Sequence, residues 1–99
     1  MELVWDEAKR RVNLAKHGID FRDLGALFSD PDRVEVEDER QDYGELRLVL
    51  LGSVQGRLLH VTYTPRGNSC RIISARRANQ REQRFYERTR AAHQGDRDP

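Results

Sequence analysis

The hydrophobic period of this chain switches from helical spacing to a run of strand spacing near residue 33, and that switch constrains the fold more than any other feature. Before it, apolar residues recur at helical spacing. In "DEAKRRVNLAKHG", Asp6 is placed to cap a helix, Ala8, Val12 and Ala15 follow the 3.6-residue repeat, and Gly18 stands where a left-handed residue ends it. In "DFRDLGALFSDP", Asp20 is placed to cap a second helix, with Phe21, Leu24, Leu27 and Phe28 on its apolar face and Pro31 blocking its continuation. From residue 33 to about residue 76 the period is two, the repeat of a strand with one face buried.

In "RVEVED" Val34 and Val36 alternate with acids, which predicts an edge strand wet on one face. Three further strands are predicted over 46–51, 57–64 and 70–76, joined by "GSVQG" and "PRGNS", and such short glycine-containing connections favour an antiparallel meander. "ELVW" near the start reads as one more short strand. A last helix is predicted from about Asn79 to Ala92, opened by a capping box from Asn79 to Glu82 and offering Phe85 and Tyr86 to the core. Residues 91–99 read as a polar, frayed tail. At 99 residues there is room for one domain, placed at 1–90. The expected class is α+β, with N-terminal helices and a C-terminal helix packed on a twisted antiparallel sheet.

The core must be modest, because apolar residues make up 36% of the chain and charged residues 35%. Cys70 is the single cysteine, so no intramolecular disulfide can form and a reducing compartment is expected. The start "MELVWDEAKR" has no apolar signal core, and the longest apolar run, Leu48 to Leu51, is far below a membrane span. A cytoplasmic protein with no membrane partner is the expectation. The formal net charge of +1 conceals a division along the chain: residues 20–45 carry −7 and residues 46–90 carry +8, with every base of the latter segment an arginine. Arginine grips phosphate through a planar fork where lysine offers a point charge, so this half suits a polyanion. A solvated surface whose two halves neutralise one another explains the same numbers.

"RIISARRA" ends a predicted strand in two adjacent arginines. Strict alternation puts Cys70, Ile72, Ser74 and Arg76 on one face and Arg71, Ile73, Ala75 and Arg77 on the other. One of Arg76 and Arg77 then ends in solvent or in a salt bridge while the other stands at the end of a sheet face, and alternation does not say which. Arg76 is taken as the anion contact, and the preceding hairpin brings Tyr63 and Arg66 into the same general region. His17, His60 and His93 are too scattered for a metal site, and there is neither a phosphate-binding P-loop nor a Gly-x-Ser-x-Gly elbow; no cofactor is expected. Lys16 and His17 have two readings: cations complementing the negative end of a helix, or a proton-moving pair at neutral pH. His60 reads as a half-buried strand histidine. Arg81, Arg84 and Arg88 share one face of the last helix, where Glu87 can pair with Arg84; a solvated face and an RNA or partner contact both fit.

The pieces "WDEAKRRVNLAKHGIDF", "FSDP", "YGELR" and "RIISARRA", in this order from about Leu3 to Tyr86, resemble the BrnT family of type II toxin–antitoxin systems. The resemblance implies a RelE-like fold and a ribonuclease that blocks translation. It also implies a BrnA-like antitoxin that neutralises the toxin in a hetero-oligomer and carries the DNA-binding domain, so that DNA is met only through the antitoxin. Its motifs carry over Lys16, His17, Arg47, Arg66 and Arg76. RNA cleavage without a metal needs a base for the ribose 2′-OH, cations on the phosphate and an acid for the leaving 5′ oxygen. Arg76 and Arg66 suit the phosphate clamp, with Lys16, His17 or Tyr63 moving protons, Tyr63 also a stacking platform, and Arg47, Arg77 and Arg81 along the RNA. The competing class is a non-catalytic module that binds RNA or an acidic partner. A third reading confines the arginines to ion pairs with the acidic segment 20–45.

Overall fold

The computed structural model describes residues 1–97, with side chains as far as His93. The chain runs through β1 (Glu2–Trp5), α1 (Glu7–His17), two 3₁₀ turns (Phe21–Asp23 and Gly25–Ser29), β2 (Val34–Glu37), β3 (Leu48–Val54), β4 (Arg57–Arg66), β5 (Ser69–Arg77) and α2 (Gln80–Arg97). The α+β class is as expected. The sheet, however, is mixed: its order is β1-β5-β4-β3-β2, and β1 lies parallel to β5. The meander β2 to β5 is antiparallel throughout, while the chain returns to the far edge of β5 with its first strand.

Local chemistry accounts for most boundaries. The Asp6 carboxylate accepts from the amides of Ala8 and Lys9, and Gly18 closes α1 at φ 70°, a conformation a side chain resists. The β3–β4 hairpin is tighter than its "GSVQG" sequence suggests. Strand pairing continues to Val54 opposite Arg57, leaving only Gln55 and Gly56 in the turn, both at positive φ, which matches the twist of the flanking strands. Asn79 and Glu82 exchange their capping-box bonds at 2.8 and 2.9 Å. The helix they open runs on to Arg97, past the expected end near Ala92; residues 98–99 of the segment read as a tail lie outside the described residues.

Three expectations are corrected. The second helix is a pair of 3₁₀ turns broken at Leu24, because this short segment bends to drive Phe21, Leu24 and Leu27 into the sheet, where all three are fully buried. Phe85 is 40% exposed, and only Tyr86 enters the core. Ala8, Val12 and Ala15 face solvent, Val12 being 64% exposed. The inward side of α1 is polar instead, and its buried residue is Asn13.

Asn13 explains how a helix with a polar inner side is held. β1 pairs with β5 only from Ser69 to Ile72, so the outward amide and carbonyl of Ala75 have no strand beside them. The Asn13 carboxamide takes that place: Nδ2 donates to the Ala75 carbonyl at 2.9 Å, and Oδ1 accepts from the Ala75 amide at 3.0 Å. Nδ2 also donates to the carbonyl of Ile19 at 2.9 Å.

The main core lies on the sheet face covered by the 3₁₀ turns and includes Leu50, Leu59, Val61, Tyr63, Cys70, Ile72 and Ala75. A smaller cluster under α2, on the opposite face, joins Leu51, Ala78 and Tyr86. Asp30 ties the two sides together by accepting from the Ser53 amide at 2.8 Å and from the Tyr86 hydroxyl at 2.7 Å. Burial pushes the Asp30 carboxyl upward, but these bonds outweigh it and hold the group below its ordinary value.

Candidate active site

The placement of the arginines depends on a register shift. Thr62 pairs with Ser74 but Tyr63 pairs with Ile72, which leaves Ile73 as an extra residue in β5. The bulge reverses the parity of everything after it. Cys70, Ile72, Ala75 and Arg77 therefore share the core face, and Arg71, Ser74 and Arg76 share the other, a correction to simple alternation. On that second face β4 contributes His60, Thr62, Thr64 and Arg66, and the register of β3 adds Arg47. Arg76 and Arg77 do point to opposite sides.

Arg76 is the most constrained of these arginines. Its Nη1 and Nη2 donate to Oε1 and Oε2 of Glu82 at 2.8 and 2.9 Å, a two-point grip, while Glu82 also accepts from the Asn79 amide. Hydrogen bonding from Arg76 holds the Glu82 carboxyl below its usual value despite burial. His60, the cross-strand partner of Arg76, places Nε2 3.7 Å from Glu82 Oε2, and its side chain is 16% exposed. Burial first, and then the charge of Arg76, push the His60 imidazole below its ordinary pKa against the pull of Glu82. These three residues line a groove of about 390 Å³ with Val36, Val49, Phe85, Asp38 and Arg40. The Asp38 carboxylate is engaged by Arg40 at 2.9 Å and by the Tyr43 hydroxyl at 3.2 Å.

Lys16 and His17 stand in the last turn of α1 beside Ile73 and Ser74, lining a second groove of about 460 Å³ at the β5 bulge. Arg47 lies over the Tyr43 ring, 3.7 Å from its centroid, and its Nε is buried without a partner, as is Oγ1 of Thr64, the residue that the β3–β4 register sets opposite it. Arg66 reaches Glu45 at 3.3 Å in an exposed pair of small energetic consequence. Arg81 is exposed on the first turn of α2, and Arg77 is exposed at the end of the core face. Tyr63 is also on the core face, 4% exposed, packed edge-on against Phe28 at 5.3 Å and pushed up to about 12 by burial. The sheet stands between Tyr63 and Arg76, and no face of that ring is open to a nucleobase.

His60 is the half-buried strand histidine expected, but sequence reasoning gave it no role in the site. It also passed over Asn13, Glu82 as a partner of Arg76, and Phe85 as an exposed ring. Only the capping-box spacing hinted at one of them. The reading that the arginines serve the acidic segment finds little support among the described residues. Arg66 with Glu45 and Arg90 with Asp32 are the ion pairs linking 46–90 to 20–45, and the expected Arg84–Glu87 pair is absent.

Fold and site together define a small α+β domain with its main core on one face of the sheet and arginines on the other. Residues 5–82 match the family described as the ribonuclease toxin BrnT of type II toxin–antitoxin systems. The match covers well over half of the chain, which belongs to this family. No curated protein matches the chain. Membership makes it a toxin with ribonuclease activity, paired with an antitoxin. Among the described residues no helix is long and apolar enough to cross a membrane.

Proposed function

We propose that the chain is a metal-independent endoribonuclease that arrests translation in the cytoplasm and is held inactive by a BrnA-like antitoxin in a hetero-oligomer, with DNA engaged only through that antitoxin. The observation that carries this reading is the placement of Arg47, Arg66, Arg71 and Arg76 along one sheet face, while the main core fills the other. Lys16 and His17 stand beside Ser74 of that face. Arg66 lies opposite Ser69 at the β4–β5 turn and Arg76 opposite His60, six β4 positions or ~20 Å away, so the two do not form the expected clamp on one phosphate. Arg76 holds the scissile phosphate with a donor fixed in advance by Glu82, and fixed donors aimed at developing charge are worth ~3 kcal/mol each in a transition state. Arg47, Arg66 and Arg81 follow the RNA backbone, and Lys16 and His17 supply the proton to the leaving oxygen. Arg77 and Tyr63, on the opposite face, take no part.

The rival reading, a binding module without catalysis, draws on one observation: the charge of Arg76 is already met by Glu82. A cell-free translation reaction separates the two. Added toxin is expected to stop synthesis and leave fragmented messenger RNA, and prior addition of the cognate antitoxin should restore both. Arrest with intact messenger would favour the module.

A further inference from the structure

We propose that His60 is the group that takes the proton from the ribose 2′-OH, in the groove between β2 and the start of α2, with the nucleobase laid against Phe85. The proposal rests on the ribonuclease reading above and locates its base. His60 is the histidine of the arginine-bearing face that touches both charged groups of the Arg76–Glu82 pair: it is the cross-strand partner of Arg76 and lies 3.7 Å from Glu82 Oε2. That distance is too long for a direct hydrogen bond, so Nε2 is not committed to Glu82 and, in the tautomer with the proton on Nδ1, offers its lone pair to an incoming hydroxyl.

The environment suits a base. The charges of Arg76 from β5, Glu82 from α2 and Arg40 from the segment after β2 act on the imidazole, Glu37, Asp38 and Glu39 line the same groove, and β3 sets the apolar Leu51 opposite His60. Asp38 is spent on Arg40 and Tyr43. Burial and Arg76 keep His60 neutral near pH 7, and Glu82 stands ready to stabilise the imidazolium once it forms. The groove also accounts for Phe85, which a domain short of apolar residues leaves 40% exposed in its lining. A ring so placed offers a stacking surface that any base can use.

The step balances. Nε2 accepts the 2′-OH proton as O2′ bonds to phosphorus, and the bond from phosphorus to the 5′ oxygen breaks. That oxygen takes a proton from the Lys16–His17 side of the face. The products are a 2′,3′-cyclic phosphate and a 5′-hydroxyl, and the His60 imidazolium returns its proton to solvent, which recharges the donor.

The test is the pH–rate profile of RNA cleavage in excess EDTA by the wild type and by His60→Gln. The wild type should gain activity with rising pH through an ionisation below the ordinary histidine value of 6.5. His60→Gln should lose on the order of 100-fold in rate and lose that limb, with its melting temperature nearly unchanged. Phe85→Ala should raise KM more than it lowers kcat. A His60→Gln variant that keeps the rate and the limb overturns the proposal and leaves the ribonuclease reading standing. Should that variant not fold, the wild-type profile decides, because absence of the acid limb removes His60 as the base. A wild type that cleaves no RNA at any pH overturns the ribonuclease reading and the proposal together.

Discussion

Asn13→Ala is expected to cost the domain ~3–5 kcal/mol and to lower its melting temperature by roughly 15–30 °C. The substitution deletes a carboxamide that makes three hydrogen bonds to backbone groups, two of them to Ala75 in the second half of β5. Without it the Ala75 amide and carbonyl and the Ile19 carbonyl are buried with no partner, and each such group carries a penalty of ~1–3 kcal/mol. A domain of this size has only about 5–15 kcal/mol in hand, so much of its stability rests on one polar side chain. Asn13→Asp should be no milder, because it sets a carboxylate against two carbonyls in place of a donor. Thermal melting followed by circular dichroism measures both variants. A shift of only a few degrees for Asn13→Ala would mean that water replaces the carboxamide and that the edge of β5 is not sealed as described.

Arg76→Ala is expected to fail twice, in cleavage and in stability. Loss of a fixed donor from the transition state should lower the rate by ~100- to 1000-fold. The same change leaves Glu82 half-buried with its best partner gone and loosens the first turn of α2 from β5. Since the Arg76 side chain is about a third exposed, water screens part of that loss, and a cost of ~1–2 kcal/mol is appropriate. Arg76→Lys should recover little of the rate, because an ammonium cannot span both the phosphate and the carboxylate. Rates measured well below the melting temperature of each variant separate the two effects. Full activity in Arg76→Ala would remove this residue from the site, and an unchanged melting temperature would show that Glu82 is held by Asn79 and the helix alone.

Much of this molecule is legible in its sequence, and the remainder fails for identifiable reasons. Caps are local, so Asp6, Gly18 and the Asn79–Glu82 box could be read correctly from spacing. Strand positions follow from a period of two, though the hairpins close tighter than their glycine-containing connections suggest. The bulge at Ile73 carries no mark in "RIISAR", and because one inserted residue reverses parity, it changed which neighbours Arg76 keeps. The partnership of Asn13 with Ala75 spans sixty-two positions and joins a side chain to a backbone, a contact that no residue-type pattern records. The apolar stripe of α1 misleads because the helix docks at the edge of the sheet through Asn13 rather than over a face. In the candidate site, the motifs pointed to Arg76, Lys16 and His17 on one side of the sheet. Tyr63 entered through its position in a hairpin and proved to be a core residue, and His60, with no motif around it, was visible only once strand pairing set it beside Arg76.

This fold is expected to cut RNA with its own side chains. The most direct measurement incubates the purified toxin, free of antitoxin, with a labelled RNA in excess EDTA and resolves the products by length and by end group. Cleavage to fragments ending in 2′,3′-cyclic phosphate, with an all-deoxy strand of the same sequence left whole, is the result this account predicts. RNA retained by the protein but recovered intact, or cleavage that returns only when a divalent ion is restored, would contradict it.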